Sequence, residues 1–163
     1  ASGPHSNGYS MVRKLIELGH ADLEKDTLCD GSPAVSGVLA PTRLYVPGVK
    51  SLMRNRVDVH GFAHITGGGM FDNLERILPD GLAAHVDVSG WPVPPAFEYL
   101  LAFANVAPEE RYRTFNMGIG FVAILPEEEA VQAEALLEDA GERTYRIGSI
   151  KKRTADAVIL AGL

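Results

Sequence analysis

Val57 to Thr66 alternates apolar and polar residues and runs without a break into Gly67-Gly68-Gly69, after which a helical period begins at Met70. Val57, Val59, Ala63 and Ile65 fall on one side, and Asp58, His60, Phe62 and His64 on the other, which is the period of a strand. Leu74, Ile77 and Leu78 then recur at helical spacing. A strand handing over to a helix through three glycines leaves few architectures open. It requires a sheet with helices packed on it and a bare turn at the carboxyl end of a strand, where ligands bind in α/β sheets.

The rest of the chain interleaves the same two kinds of element. Met11, Val12, Leu15, Ile16 and Leu18 predict a helix from Tyr9 to Leu18, capped by Ser6 or Asn7 and stopped at Gly19. His20 to Pro41 is poorly periodic and reads as a connecting loop. A short extended segment is expected around Thr42 to Tyr45, then a helix through Val49, Leu52 and Met53 with Pro47 in its first turn. Leu82 to Val88 reads as a strand, Trp91 to Pro95 as a rigid turn, and Phe97, Leu100, Leu101 and Ala104 as a helix. Gly118 to Leu125 reads as a buried strand, followed by a helix starting at Pro126 and stopped by Gly141. Glu127, Glu128 and Glu129 suit the positive end of that helix. Two strands are expected last, Thr144 to Lys151 and Ala157 to Leu160, turning at Lys152-Arg153-Thr154 as a solvated hairpin. Without strict βαβ regularity, the fold class is α+β, a mixed sheet packed with helices in layers.

At 163 residues the chain suits one domain with a real core. Its 46% hydrophobic and 22% charged residues are those of an ordinary globular protein. A net charge of −6 and the lack of a basic stripe argue against a nucleic-acid partner. Apolar runs fall short of a membrane span and nothing resembles a signal peptide, so a cytoplasmic location and no membrane are expected. Cys29, the sole cysteine, excludes an internal disulfide and a Cys-based zinc site.

Two loops share one physical design, little side-chain bulk leading into a helix start. Such starts offer unpaired N–H donors, and glycine lets a phosphate approach the backbone. One is His5-Ser6-Asn7-Gly8, the other Thr66-Gly67-Gly68-Gly69. Either alone reads equally well as a capped turn; two in one small domain strengthen the functional reading. The first loop stands at the start of a chain that opens on Ala1 without an initiator Met, which reads as the back half of a larger enzyme. His60 and His64 share a strand face but are spaced by about 13 Å, too far to chelate one metal, and no metal site is expected. Arg43 beside Thr42 is a phosphate candidate as much as a surface ion pair. Arg111, Arg113 and Asn116 read as a polar approach to the Gly118 strand.

Four segments together carry a resemblance. His5-Ser6-Asn7-Gly8-Tyr9-Ser10-Met11-Val12-Arg13 comes first, then Ala40-Pro41-Thr42-Arg43-Leu44-Tyr45-Val46. Val57 to Gly69 and Tyr112-Arg113-Thr114-Phe115-Asn116-Met117-Gly118-Ile119-Gly120 follow. In that order, from His5 to about Ile150, the chain resembles the C-terminal domain of the phosphoribosylformylglycinamidine cyclo-ligase (aminoimidazole ribonucleotide synthetase) family. Met117 departs from the Cys of many relatives. The resemblance implies ATP-dependent ring closure of formylglycinamidine ribonucleotide in purine synthesis. ATP, accompanied by Mg2+, would activate the formyl oxygen as a phosphoryl imidate, and an amidine nitrogen would close the imidazole ring with loss of phosphate. It also implies a homodimer built through an N-terminal, ATP-binding domain absent from this chain, with the isolated chain inactive.

By position, the resemblance places His5, Ser6, Asn7 and Gly8 on the ribonucleotide or the transferred phosphate. Thr66, Gly67, Gly68 and Gly69 would cradle a second phosphate, with Thr42, Arg43 and Asn116 lining the cleft. His5 and His64 are the candidates for proton transfer near neutral pH. Two other readings stay open: another ATP-dependent kinase or synthetase of the same superfamily, which is similar in plan to selenophosphate synthetase and thiamin-monophosphate kinase, or a non-catalytic anion-binding or oligomerisation module.

Overall fold

The computed structural model describes all 163 residues. Helix α1, Tyr9–Glu17, buries Val12 and Leu15, and Gly8 precedes it in the left-handed region at φ 70°. Pro33 leads extended backbone into the five-residue α2, Ala34–Val38, within the stretch expected to be a loop. One turn of helix is too short to show a period, and it forms because Ala34 and Val38 are both fully buried. No strand forms at Thr42 to Tyr45; the chain stays irregular until α3, Val46–Arg54, which starts with proline in its first turn as expected.

Strand β1, Gly61–His64, is followed by α4, Gly69–Glu75, and then by β2, Leu82–Asp87. A 3-10 turn at Val88–Gly90 leads to α5, Pro95–Ala102. Helix α6, Pro108–Thr114, replaces the expected polar approach to a strand. Its proline at the start, Glu109 and Glu110 in the first turn, and Arg111 and Arg113 in the last form a helix signature. Strand β3 is Phe121–Ile124; a 3-10 turn at Glu127–Glu129 opens into α7, Ala130–Asp139. Strands β4, Gly148–Lys152, and β5, Val158–Ala161, complete the chain.

The sheet is split in two. β1 and β3 pair antiparallel, with His64 opposite Phe121. The second sheet is mixed, in the order β4-β2-β5, with β4 antiparallel and β5 parallel to β2. The expected terminal hairpin is therefore absent, because β4 and β5 lie on opposite edges of β2. Arg153 marks the crossing by donating its N–H to the Gly81 carbonyl at 2.7 Å, just ahead of β2. β2 is apolar at Ala83, Ala84 and Val86, all buried, and it gains ladder partners on both edges this way.

Phe97, Phe115, Met70, Leu74, Leu100 and Ile65 fill the main core. A smaller cluster, Leu52, Val57 and Ala133 with Phe62 and Leu137 packed on it, joins α3 and α7 to the other face of β1–β3. That sheet is thus covered on both faces, which gives the layered α+β arrangement. No helix is long and apolar enough to cross a membrane.

Candidate functional site

The two glycine-bearing loops meet. The position a Cβ would take on Gly67 is 3.7 Å from Asn7 Oδ1, so segments some sixty residues apart in the sequence form one surface. Ser6 and Gly67 are exposed there, with Asn7, Gly8, Thr66 and Gly68 half-buried.

Each loop is held in a conformation that side chains resist. His5 and Ser6 both have positive φ, 52° and 62°. Asn7 Nδ2 donates to the His5 carbonyl at 3.0 Å, and Asn7 N–H to the Pro4 carbonyl at 3.0 Å. Gly8 sits so close to Phe115 that a Cβ would fall 2.1 Å from the ring. In the second loop Gly68 and Gly69 have φ of 87° and 59°, and a Cβ on Gly69 would lie 1.8 Å from the Tyr112 carbonyl oxygen. Backbone meets backbone at that point, so only glycine serves.

Asn73 organises the second loop from within α4. Its buried amide donates to the Gly69 carbonyl at 2.7 Å and the Gly67 carbonyl at 3.2 Å. Sequence reasoning missed it. The signal was an Asn inside a helix, four residues after Gly69, where the residue type is a weak helix former and wants a partner. Arg113, expected in a polar approach to a strand, lies over the Phe71 ring, 3.8 Å from its centroid, and brings a cation beside α4.

The remaining sequence candidates fall into place around these loops. Asn116 is fully buried: its Nδ2 donates to the Gly3 carbonyl at 2.8 Å and its Oδ1 accepts from the Gly118 N–H at 2.9 Å. It ties the first loop to the turn before β3. Arg43 is engaged by Glu142 at 2.7 Å and by the Gly141 carbonyl, while Thr42 is exposed. His64 is exposed at the end of β1, and His5 is buried. His5 Nε2 accepts N–H bonds from Ser2 at 3.2 Å and Arg43 at 3.5 Å. Burial, then the Ala1 amino group and His64, push its pKa down to about 4. The imidazole is therefore neutral at neutral pH and anchors the loop from behind.

No cluster of three or more His, Cys, Asp or Glu side chains is present. One carboxylate does reach the glycine loop: Asp72 Oδ2 lies 2.3 Å from the position of a Gly68 Cβ. A magnesium ion there would be held chiefly through the phosphates of a nucleotide, as this cation commonly is, with Asp72 the carboxylate at hand. A cavity of about 1200 Å³ opens behind the first loop, between the two sheets, lined by Tyr45, Val122, Leu137, Tyr145 and Ile147. Its arginines Arg43 and Arg146 are paired with Glu142 and Glu134, so its charges are largely matched internally.

A split, helix-covered sheet with two abutting glycine-bearing loops defines an α+β domain with one candidate ligand surface. Residues 1–161 match the family described as AIR synthase related protein, C-terminal domain, and the chain belongs to that family. Among solved structures it is similar to the hydrogenase maturation protein HypE in complex with ATP, at 25% identity and a TM-score of 0.62. The match covers 98% of this chain and 45% of that one. HypE from E. coli aligns at 21% identity and a TM-score of 0.64, over 99% of this chain and 45% of that one. Thiamine-monophosphate kinase from Stenotrophomonas maltophilia K279a aligns at 18% identity and a TM-score of 0.60, over 99% and 48%. The chain spans less than half the length of each.

Proposed function

We propose that this chain supplies the C-terminal part of the site of a phosphoribosylformylglycinamidine cyclo-ligase, which closes the imidazole ring of aminoimidazole ribonucleotide at the expense of ATP. The observation that carries the reading is the meeting of the two loops, Asn7 against Gly67, in a chain whose four segments resemble those of that family in order. Each loop heads a helix whose first N–H groups have no intrahelical acceptor, and together they offer donors to two neighbouring phosphates. Ser6, Asn7 and Gly8 would hold the ribonucleotide or the phosphoryl group in transfer. Thr66 to Gly69 would hold the second phosphate, kept open by Asn73. His64, exposed beside them, would exchange a proton with a ligand, while His5, Asn116 and Arg43 would act through the loop backbone. The chain's contribution is positioning and charge stabilisation, the main requirements of phosphoryl transfer.

In this reading a second domain covers the loops, brings most of the ATP site and forms the dimer contact, and the enzyme works in the cytoplasm. The test is turnover by the full-length protein with formylglycinamidine ribonucleotide and Mg-ATP, following both ADP and aminoimidazole ribonucleotide. Stoichiometric formation of the two supports the proposal. ADP release only with another small substrate favours the second reading, a kinase or synthetase of the superfamily. The named relatives, HypE bound to ATP and thiamine-monophosphate kinase, are the observation behind that alternative. Amide shifts of the isolated chain with each ligand separately would assign the loops: movement at 6–9 with one and 67–71 with the other is expected.

A further inference from the structure

Behind the first loop, three polar aromatic rings face one another. The ring centroids of His5, Tyr45 and His64 are 5.9, 6.2 and 5.7 Å apart, a near-equilateral triangle, with Phe121 stacked on Tyr45 at 5.1 Å. Within it, two solvent-inaccessible polar atoms have no hydrogen-bond partner, His5 Nδ1 and Tyr45 Oη. Leaving such groups unpaired is costly, so two side by side call for an explanation.

Chemistry says which proton is where. Two backbone N–H groups, of Ser2 and Arg43, point at His5 Nε2, and a nitrogen receiving donors must present its lone pair. The Ser2 hydroxyl, 3.0 Å from the same nitrogen and 2.8 Å from the Pro41 carbonyl, is free to turn its hydrogen toward the ring, so the backbone donors, which cannot turn, decide the protonation. The proton of a neutral imidazole therefore sits on Nδ1, as a buried donor. Tyr45 Oη both donates and accepts. The two groups are neighbours: Tyr45 Oη lies 1.9 Å and His5 Cε1, bonded to Nδ1, 2.7 Å from the same point, the place of a Cβ on Gly120. Glycine at 120 is what lets both rings close on this spot. They make no direct hydrogen bond, and one shared oxygen at about 2.8 Å from each would satisfy both.

We propose that Tyr45 is a positioning residue for the first loop: its hydroxyl and His5 Nδ1–H share one bridging water, which fixes His5 as the Nδ1–H tautomer. The consequence reaches the exposed surface. His5 carries a positive φ and its carbonyl takes the Asn7 amide, so the ring that Tyr45 holds sets the orientation of Ser6 and Asn7. A buried water with two or more polar partners is a normal structural element. The bridge orders the loop whatever substrate it serves.

The experiment is long-range nitrogen–proton correlation NMR on the 15N-labelled 163-residue chain at pH 7.5, wild type against Tyr45→Phe. The expected wild-type spectrum shows His5 protonated at Nδ1 and bare at Nε2. In Tyr45→Phe the Nδ1–H exchanges with solvent at least about tenfold faster, and the amides of residues 6–8 shift while those of α7 do not. A proton on Nε2 in the wild type overturns the proposal. So does a Tyr45→Phe spectrum with unchanged Nδ1–H exchange. Should that variant fail to fold, a near-atomic crystal structure of the wild type decides: an ordered oxygen within hydrogen-bond distance of both atoms supports the bridge, and its absence from clear density overturns it.

Discussion

Asn73 and His5 show how much of an exposed loop is decided by residues buried behind it. The amide of Asn73 satisfies two carbonyls that glycine turns leave inside. Asn73→Ala should lose about 1–3 kcal/mol of stability, read in urea unfolding, and should weaken nucleotide-induced shifts at residues 67–71. Stability unchanged within about 0.5 kcal/mol would remove the assigned role. Gly69→Ala should be worse, at least about 3 kcal/mol, because its Cβ would strike the Tyr112 carbonyl in a left-handed conformation. His5 gives a pH window. Its pKa is about 4 in the fold against 6.5 in an open chain. Between these values the unfolded chain binds a proton that the native state refuses. The His5 contribution is thus complete above pH 6.5 and is lost as pH falls towards 4. His5→Gln should flatten the stability profile over that interval; an unaltered slope would show that other groups set it. The sequence exposed the loops because glycine and small polar residues are visible one by one. It could not show that His5 lies inside and His64 outside, since burial depends on which strands and rings arrive around them.

Among elements, the ones with long periods were legible and the short ones were not. α1, α3, α5 and α7 each present an apolar face over two or more turns, and β2 is bounded by turn residues. α2 is a single turn fixed by burial of Ala34 and Val38, and α6 announced itself by its ends while carrying only one fully engaged apolar residue, Tyr112. Pairing was the larger gap: adjacency in sequence suggested that β4 and β5 meet, whereas the demand of β2 for two partners separated them. Phe115, between α6 and β3, ties elements together by packing on Phe97 edge-on at 5.5 Å and against Gly8. Phe115→Ala should cost about 3–5 kcal/mol, a far larger loss than that from Arg43→Ala. The latter removes a part-exposed ion pair to Glu142 and should cost about 1 kcal/mol or less. If chemical denaturation ranks the two in the reverse order, the picture of Phe115 as the hub behind the first loop fails.

At the level of the whole molecule, the two loops become one surface only because β1 and β3 bring them to the same edge. Ile65 N–H donates to the Gly120 carbonyl at 2.9 Å, just beyond the paired strands, so the glycine loop and the turn beneath the first loop are joined by ladder geometry. Neither loop has meaning alone, which is why a pattern read segment by segment undervalues both. The same reasoning extends to the last strand. Ala157 and Val158 are in the main core and Val158 pairs with Ala84. Removing residues 157–163 should abolish the cooperative urea transition and collapse the dispersion of the amide spectrum; a retained sharp transition would show β5 to be dispensable.

The order β4-β2-β5 also sets a schedule for birth on the ribosome. β2 leaves the exit tunnel long before either neighbour, and at roughly 5–20 residues per second its two edges stay bare for several seconds. During that interval the nascent chain carries an apolar strand, Leu82–Asp87, open to pairing with a stranger on either side. Protein yield in cells should therefore track holdase capacity and translation speed more closely than the stability of the finished fold.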